Sequence, residues 1–295
     1  MYNVIIPVIY RDYSFIKKTI RYVFKYLNPN KVYIITDIRF KQFLPRVILD
    51  NSSCIVIDEN CLLEGMSQDI LKKLFLKLGR KKMGTGWYFQ QFIKMAFALS
   101  DYCDTDYYLS WDSDTIPLQK IDFFDKNGKP YFTMKLEHHH PYFVSIERLL
   151  EIRRINDRSY IAENMLFNKT IMIEMVNQIQ SNSSLEGNTW YEKIVYALEP
   201  ESVSPMGFSE FETYGNFCFN YHSDLYKERT LPSFRAGGLI QGRFISDKIL
   251  KQLSFDQATA SFEIYDRPPF PWGVLSYLYA RWQRRKELFI RHWLI

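Results

Sequence analysis

The first 118 residues alternate short apolar runs with stretches of helical spacing, and this alternation constrains the fold more than any other feature. Helical spacing covers residues 13–27, with Ser14 as a candidate cap, and residues 87–99. Strands that alternate with helices are typical of βαβ units. The sequence therefore predicts an α/β fold with a mostly parallel central sheet flanked by helices. The predicted strands are residues 3–10, 31–36, 54–57 and 107–111.

Composition and charge narrow the class of protein. Hydrophobic residues make up 47% and charged residues 24% of the chain, as in soluble globular proteins. A net charge of +5 is a mild bias toward an anionic partner and too weak to indicate nucleic acid. The four cysteines form no C-x-x-C pair, and no signal peptide or membrane-spanning run is evident. We therefore expect a cytoplasmic protein without a disulfide framework.

The segment YYLSWDSDTIP, residues 107–117, places two aspartates at the end of an apolar run. A plain polar turn is one interpretation, because Asp and Ser side chains bond their own backbone in turns. However, Asp112 and Asp114 are close enough to repel unless a cation lies between them. Mg²⁺ or Mn²⁺ prefers oxygen ligands that it shares with phosphates. Since ligands bind at the carboxyl ends of parallel strands, the pair predicts a metal-assisted phosphate site there.

Five segments together resemble the GT-A glycosyltransferases, and among them the bacterial enzymes that build surface polysaccharide. They are NVIIPVIYRD, GWYFQQFIKMAFA, YLSWDSDTIPL, AENMLFN and FSEFETYGNF, which together span most of residues 1–225. The resemblance implies a GT-A fold with a Rossmann-like nucleotide-sugar-binding half over 1–118 and an acceptor-binding half over 119–270. It also implies a UDP-sugar donor and Mn²⁺ or Mg²⁺. Asp112, Ser113 and Asp114 would face the donor, with Asp114 as the direct metal ligand.

Further donor-side positions follow from the same resemblance. Pro7, Arg11 and Asp37 lie at or just after the first two strands, where similar enzymes surround the uracil and ribose. Lys94, on the helix before the aspartate pair, is expected to reach a donor phosphate. The alternative is that Arg11 and Asp37 are solvated loop charges and that Lys94 lies on a solvated helix face.

The segment FSEFETYGNF supplies the candidate catalytic carboxylates. Inverting enzymes of this kind place a general base at a comparable helix start, which favours Glu210 as the base and Glu212 next. The Ser209-x-x-Glu212 spacing also matches a capping box, which gives Glu212 a structural explanation. A retaining mechanism would need no base there. His222 is a candidate further metal ligand, although a lone histidine is often structural.

Two further segments point to partners. His138, His139 and His140 alternate faces in an aromatic loop, so we expect His139, His140 and Tyr142 to bind the acceptor rather than a metal. Residues 271–295 form a basic, aromatic helical tail that is typical of peripheral contact with an anionic membrane. A helix docked on the core or on a partner protein is the alternative.

These features predict a metal-dependent glycosyltransferase that moves a hexose from a UDP-sugar to a hydroxyl of a surface glycan. The glycan would be a lipid-linked lipopolysaccharide or capsule precursor, met at the inner face of the cytoplasmic membrane, and inversion is favoured. One alternative is a haloacid-dehalogenase-like phosphatase with Asp112 as its nucleophile. The other is a non-catalytic glycan-binding or scaffold module.

Overall fold

The structure is a computed structural model that describes residues 1–80, 84–154, 157–200 and 206–293. Short 3-10 turns connect several of its helices and strands. The strands are β1 Asn3–Pro7, β2 Val32–Thr36, β3 Cys54–Asp58, β4 Tyr107–Trp111, β5 Thr115–Pro117, β6 Tyr131–Thr133, β7 Asn164–Asn168, β8 Lys227–Arg229, β9 Ser233–Phe234 and β10 Thr259–Ser261. The helices are α1 Tyr13–Tyr26, α2 Arg46–Leu49, α3 Gln68–Lys77, α4 Thr85–Ala96, α5 His140–Leu150, α6 Lys169–Ser181, α7 Trp190–Ala197, α8 Glu210–Tyr221, α9 Gly238–Gln241, α10 Asp247–Leu253 and α11 Trp272–Trp293.

The central sheet has five strands in the order β3-β2-β1-β4-β7. The first four in sequence, β1 to β4, are mutually parallel, and β7 runs antiparallel to β4. β1 and β2, which lie inside the sheet, are buried at every residue, which explains why the sequence shows them as continuous apolar runs. The predicted α/β fold with a mostly parallel, helix-flanked sheet is therefore confirmed.

Helices cover both faces of this sheet because alternate strand residues point to opposite sides. Val4 and Ile6 of β1 pack in one hydrophobic cluster with Ile16 of α1. Ile5 packs in the cluster on the other face, with Phe92 of α4 among its members. The polar ends of the parallel strands are left at one edge of the sheet.

Several predicted boundaries shift. The first strand ends at Pro7 rather than at residue 10, because a 3-10 turn of Tyr10–Asp12 follows it. The N-cap of α1 is Asp12, so the prediction of Ser14 as its cap is wrong. α3 begins at Gln68, because the Ser67 side chain accepts a hydrogen bond from the Ile70 backbone. Residues 81–83 lie outside the described residues.

The second half of the chain adds two small sheets and the predicted terminal helix. β10 pairs antiparallel with β5, which follows the aspartate pair directly. α11 packs against the 3-10 turns of Tyr10–Asp12 and Gly242–Phe244. None of the described helices has the length and apolar character needed to cross a lipid bilayer. Because α11 packs against the turn that follows β1, the last helix lies close to the end of the first strand.

We predict that Gly215→Ala destabilises the fold. A Cβ atom at this position of α8 would lie 2.2 Å from the Cγ atom of the buried Tyr160 ring. Overpacking of this kind costs about 1–3 kcal/mol, which urea unfolding would measure. The control is Gly86→Ala in α4, whose Cβ would be 3.7 Å from the nearest atom, on Gln68. Equal unfolding free energies for the two variants would contradict the prediction.

Candidate active site

Charged residues collect where the parallel strands of the central sheet end. Asp37 follows β2, Glu59 follows β3, and Asp112 follows β4. The 3-10 turn Tyr10–Asp12 lies two residues beyond β1 and brings Asp12 to the same edge. Open α/β sheets bind ligands at this edge, so the arrangement marks the candidate active site.

Lys94 is the cation at the centre of this edge. Its Nζ lies 2.9 Å from Oδ1 of Asp112 and 2.8 Å from Oε1 of Glu210. Lys94 is 4% exposed, and its Nζ also lies 4.3 Å from the centre of the Phe211 ring. Burial alone lowers the pKa of Lys94, but the carboxylates of Asp112 and Glu210 outweigh it and raise the pKa. The lysine is therefore a charged, buried link between β4 and α8.

This position corrects the prediction that Lys94 reaches a donor phosphate. Its ammonium points into the protein, toward Asp112 and Glu210, and only the Asp112 side chain of the three is appreciably exposed, at 28%. Lys94 is thus a positioning residue that holds Asp112 at the mouth of the site. The alternative of a solvated helix face is wrong as well.

The two candidate base residues have different surroundings. Glu212 is fully buried, and its Oε2 accepts hydrogen bonds from Ser159 Oγ at 2.8 Å and the Tyr160 backbone at 3.0 Å. Its Oε1 accepts from Asn216 Nδ2 at 3.0 Å. Burial raises the pKa of Glu212, and these bonds oppose that shift. The prediction of Glu212 as a catalytic base is wrong, because its carboxylate is used to tie α8 to the segment before β7.

The predicted capping box at the start of α8 is only half formed. The Ser209 side chain accepts from the Glu212 backbone at 3.2 Å, but the Glu212 side chain turns to Ser159 and Tyr160 instead. Glu210 is 3% exposed and shares Lys94 with Asp112. One of its carboxylate oxygens is bound by Lys94. The role of Glu210 as general base stays a prediction.

Asp114 lies in a second, more acidic cluster. Its backbone oxygen accepts from the Phe262 backbone at 2.9 Å, which brings Glu263 beside it. Burial raises the pKa of Asp114 well above its ordinary value, and Glu263, Asp12 and Asp112 raise it further. Arg243 opposes this shift from 4.0 Å, but it is closer to Asp12, at 2.5 Å. This part of the site therefore brings the carboxyl groups of Asp114, Glu263 and Asp12 together beside Arg243.

The donor set suits a hard divalent ion in its chemistry, because the exposed ligands are carboxylate oxygens. Across residues 1–80, 84–154, 157–200 and 206–293, however, no three His, Cys, Asp or Glu side chains are grouped so as to hold a metal ion. Asp112 and Asp114 would thus need ligands from a substrate to complete the coordination of Mg²⁺ or Mn²⁺.

His222 does not supply a further ligand for such an ion. The residue follows the last turn of α8, whereas Glu210 opens the helix, and 12 residues of helix separate them by about 18 Å. The His222 Nε2 lies 2.9 Å from a Glu174 carboxylate oxygen. The prediction of His222 as a metal ligand is wrong, because α8 separates it from Glu210 at the site and its ring contacts Glu174 instead.

Arg11 and Asp37, which were predicted to contact the nucleoside, form ion pairs with side chains of α11. Arg11 Nε lies 3.3 Å from Glu287 Oε2, and Asp37 Oδ2 lies 3.3 Å from Arg291 Nη1. Asp37 also caps its own 3-10 turn and binds Arg39 through both carboxylate oxygens. The alternative of solvated loop charges is therefore wrong for Asp37, and both residues face the last helix in this structure.

A cleft of about 210 Å³ opens beside these contacts, between the end of β1 and α11. Aromatic rings and two polar side chains of α11 line it, so that the last helix forms one wall. Pro7, at the end of β1, is buried, and Ser113 is directed at Asp12, with its Oγ 3.4 Å from the Asp12 carboxylate. The lining residues are Tyr10, Tyr13, Ser14, Phe43, Pro45, Gln283 and Lys286.

The predicted acceptor residues lie at the start of α5. His140 opens α5, and His139 Nε2 lies 2.9 Å from the Met206 backbone oxygen. Tyr142 is buried, and burial together with the nearby Glu210 raises its pKa. The structure thus brings Tyr142 toward Glu210, while His139 and His140 lie at the start of the same helix.

Four residues of the site escaped sequence analysis: Asp12, Glu163, Arg243 and Glu263. Arg243 reaches Asp12 across 231 residues, and Glu263 reaches Asp114 only because β10 pairs with β5. Glu163 lies 2.8 Å from Arg235 and offers its backbone oxygen to the Asp112 backbone at 3.1 Å. The signal in the sequence was local: Asp12 comes shortly after the first predicted strand, and Glu163 lies in the AENMLFN segment.

Comparison with known proteins gives one family match. The sequence profile of DUF6492, described as a family of unknown function, matches residues 11–229. No curated protein matches the chain.

Solved glycosyltransferase structures resemble the chain at low sequence identity. Mouse xyloside xylosyltransferase 1 in its apo form is 12% identical, with a TM-score of 0.46 and with 92% of this chain and 99% of that chain covered. The galactosyltransferase LgtC with donor and acceptor sugar analogues is 10% identical, with a TM-score of 0.44 and 95% of each chain covered. The apo glycosyltransferase GlyE of Streptococcus pneumoniae TIGR4 is 13% identical, with a TM-score of 0.40 and with 99% of this chain and 62% of that chain covered. The likeness concerns the general fold alone.

We expect Lys94→Met to destabilise the protein by about 3–5 kcal/mol, because it leaves the Asp112 and Glu210 carboxylates without their buried cation. Urea unfolding would measure the loss. The matched control is Lys120→Met, since Lys120 is 75% exposed and its 2.9 Å ion pair with Asp122 lies at the surface. That change is expected to stay within about 0.5 kcal/mol.

A double variant tests whether the loss at position 94 comes from unpaired charge. Glu210→Gln added to Lys94→Met removes one of the two stranded carboxylates, so part of the lost stability should return. If the two changes were simply additive, the buried ion pair would not be the cause.

The stability of the protein should also fall as the pH rises from about 4.5 to about 8. Burial raises the pKa of Glu59 from 4.5 to about 8, and Asp37 and Asp58 add to the shift. The guanidinium groups of Arg291 and Arg39 oppose it. In this window the folded chain holds a proton at Glu59 that the unfolded chain releases, so rising pH favours unfolding.

Glu59→Gln should remove this part of the pH dependence. We expect the variant to gain stability over the unsubstituted protein at the alkaline end of the window and to differ less at the acidic end. Thermal unfolding across the window measures both. Parallel stability curves for the two proteins would contradict the assignment to Glu59.

Proposed function

The chain belongs to the DUF6492 family, a family of unknown function, and we propose that it is a metal-dependent glycosyltransferase that uses a UDP-sugar. The acceptor would be a hydroxyl of a surface glycan, and the transferred group a hexose. The observation that carries the proposal is the Asp112–Asp114 pair at the carboxyl end of β4, inside a mostly parallel sheet. Nucleotide-binding sheets of this type receive their ligand at that edge.

A divalent ion is part of the proposal. Asp112 and Asp114 would hold Mn²⁺ or Mg²⁺. Burial raises the pKa of Asp114 and the nearby Glu263, Asp12 and Asp112 raise it further, and a divalent ion would favour its ionised form. With few protein ligands available, the diphosphate of the donor would supply the others. Such an ion stabilises the negative charge that develops on a departing diphosphate.

The protein's own residues would orient the donor. Lys94 holds the Asp112 carboxylate through a 2.9 Å contact, so that Asp112 meets the ligand in one orientation. The cleft lined by Tyr10, Tyr13 and Phe43 offers aromatic faces to the nucleoside base. Asp37 and Arg11, held by α11, would shape this cleft rather than bind the nucleoside directly.

The acceptor would approach from the side of α5. Tyr142, His139 and His140 lie there, and Glu210 is the carboxylate near them. Inversion depends on Glu210 acting as the base for the acceptor hydroxyl. The anomeric configuration of the product, determined by NMR, tests this step: an inverted product that requires Glu210 supports it, and a retained product contradicts it.

The geometry is less suited to the two alternatives. The phosphatase alternative makes Asp112 a nucleophile and gives no role to Asp114, whereas the proposed metal site uses both aspartates. A binding or scaffold module has no need of a buried lysine that orients one exposed aspartate. Both alternatives remain outcomes of the ligand experiment.

The first test is the melting temperature with UDP, GDP, CMP and TDP, each with and without Mn²⁺. A ligand at a hundredfold excess over its Kd adds about 2.7 kcal/mol, so we expect a rise of several degrees for UDP with Mn²⁺ only. Asp112→Asn and Asp114→Asn should abolish the rise. Asp122→Asn is the matched control, because Asp122 is 66% exposed and pairs only with Lys120 among the ion pairs described.

Transfer itself is the second test. With Mn²⁺ and a panel of UDP-hexoses, the protein should release UDP in the presence of a glycan acceptor, and Asp114→Asn should lower the rate by at least a hundredfold. Metal-independent release of phosphate from simple phosphate esters would favour the phosphatase. A folded protein with no response to any nucleotide would favour the binding module.

A further inference from the structure

The outward face of α11 carries a stripe of exposed apolar side chains. Their spacing of three, four and seven residues keeps them on one side of the helix. Several large apolar side chains exposed side by side indicate a surface that contacts something other than water. The stripe consists of Leu275, Leu278, Trp282, Phe289 and Trp293, which are 43%, 55%, 53%, 63% and 72% exposed.

A different face of the same helix is committed to the protein. Gln283 and Ile290 are buried, and Ile290 packs in the cluster that contains Tyr10 and Phe40. Docking on the core therefore accounts for one face of α11, and the apolar stripe is left over. The sequence left two interpretations of this helix open, docking on the core and contact with a membrane. The two concern different faces of the helix.

Charge is divided between the two faces in the same way. Glu287, the only acidic residue within 272–293, turns inward to Arg11 and Arg291, at 3.3 and 3.0 Å. The exposed cations lie beside the stripe, and Lys286 Nζ lies 5.2 Å from the Trp282 ring centre. The outward face thus combines apolar rings with positive charge alone. These cations are Arg281, Arg284, Arg285 and Lys286.

We propose that this face docks on the surface of an anionic lipid bilayer. A helix of 22 residues, about 33 Å long, would lie in the plane of the headgroups with Trp282, Phe289 and Trp293 inserted. Tryptophan favours this boundary, and cations beside it are attracted by anionic headgroups. The helix would then carry the site at the ends of β1 and β2 close to the membrane.

A second copy of the chain is a poorer occupant. In a two-fold dimer the same patch forms both sides of the contact. Arg281, Arg284 and Arg285 of one chain would then approach the same cations of the other without a carboxylate between them. Like charges brought together across an interface disfavour the contact, whereas anionic lipid relieves the repulsion.

The test is flotation of the full chain with lipid vesicles. We expect at least about tenfold stronger binding to vesicles of phosphatidylcholine mixed with phosphatidylglycerol than to phosphatidylcholine alone, and weaker binding as salt rises. Trp282→Ala combined with Phe289→Ala should weaken binding by about tenfold or more. Arg281→Glu combined with Arg285→Glu should abolish the preference for anionic lipid.

Controls separate docking from misfolding and from general stickiness. The matched double variant is Leu76→Ala with Phe255→Ala, which removes apolar side chains of 58% and 77% exposure elsewhere and should bind like the unsubstituted chain. All variants should keep the melting temperature of the unsubstituted chain, since the changed side chains are exposed. No nucleotide is present, so this result is independent of the proposed transferase activity.

Three outcomes would overturn the proposal. The first is an absence of binding to anionic vesicles at low salt, and the second is equal binding to neutral and anionic vesicles. The third is a concentration-dependent oligomer in sedimentation velocity that the Trp282→Ala, Phe289→Ala pair dissociates, which would assign the stripe to a second copy.

Discussion

The ion pair that Lys94 makes with Asp112 and Glu210 is the interaction on which the site depends. A lone ammonium buried to this degree would be strongly unfavourable, so the lysine requires both carboxylates nearby. This requirement fixes three elements at once: α4, the end of β4 and the start of α8. The Tyr108 hydroxyl, which donates to the Lys94 backbone oxygen at 2.9 Å, ties α4 to β4 a second time.

The neighbouring Asp114 cluster has the opposite electrostatic character. Lys94 is balanced by two carboxylates, whereas Arg243 lies near both Asp12 and Asp114, and Glu263 adds a further carboxyl group beside Asp114. A protein that needed only stability would not collect acids in this way. Two clusters with different charge balance, one built around a lysine and one rich in carboxyl groups, therefore meet on either side of Ser113. The proposed metal ion would belong to the second of them.

The sequence predicted those features that depend on residues close together along the chain. The apolar runs located β1 to β4, and their polar ends placed Asp112 and Asp114 at the correct edge of the sheet. It did not predict which groups Lys94, Glu212 and His222 contact, because those partners come from other segments. Helix length also mattered: FSEFETYGNF continues to Tyr221, so His222 lies far from the residue that opens α8. Partner choice and burial, which decide the role of a charged side chain, are tertiary properties.

The wall that α11 adds to the site has a consequence for how the chain folds. Arg291 meets Asp37 across 254 residues, and Arg243 meets Asp12 across 231. The entropy lost on closing a loop grows with its length, so contacts of this span form readily only after shorter loops have closed. The parallel strands β1 to β4 lie within the first 111 residues and can pair earlier. A folding intermediate would thus have the parallel part of the central sheet already paired, while the cleft beside α11 was still open, and the site would be completed only after the strands that support it.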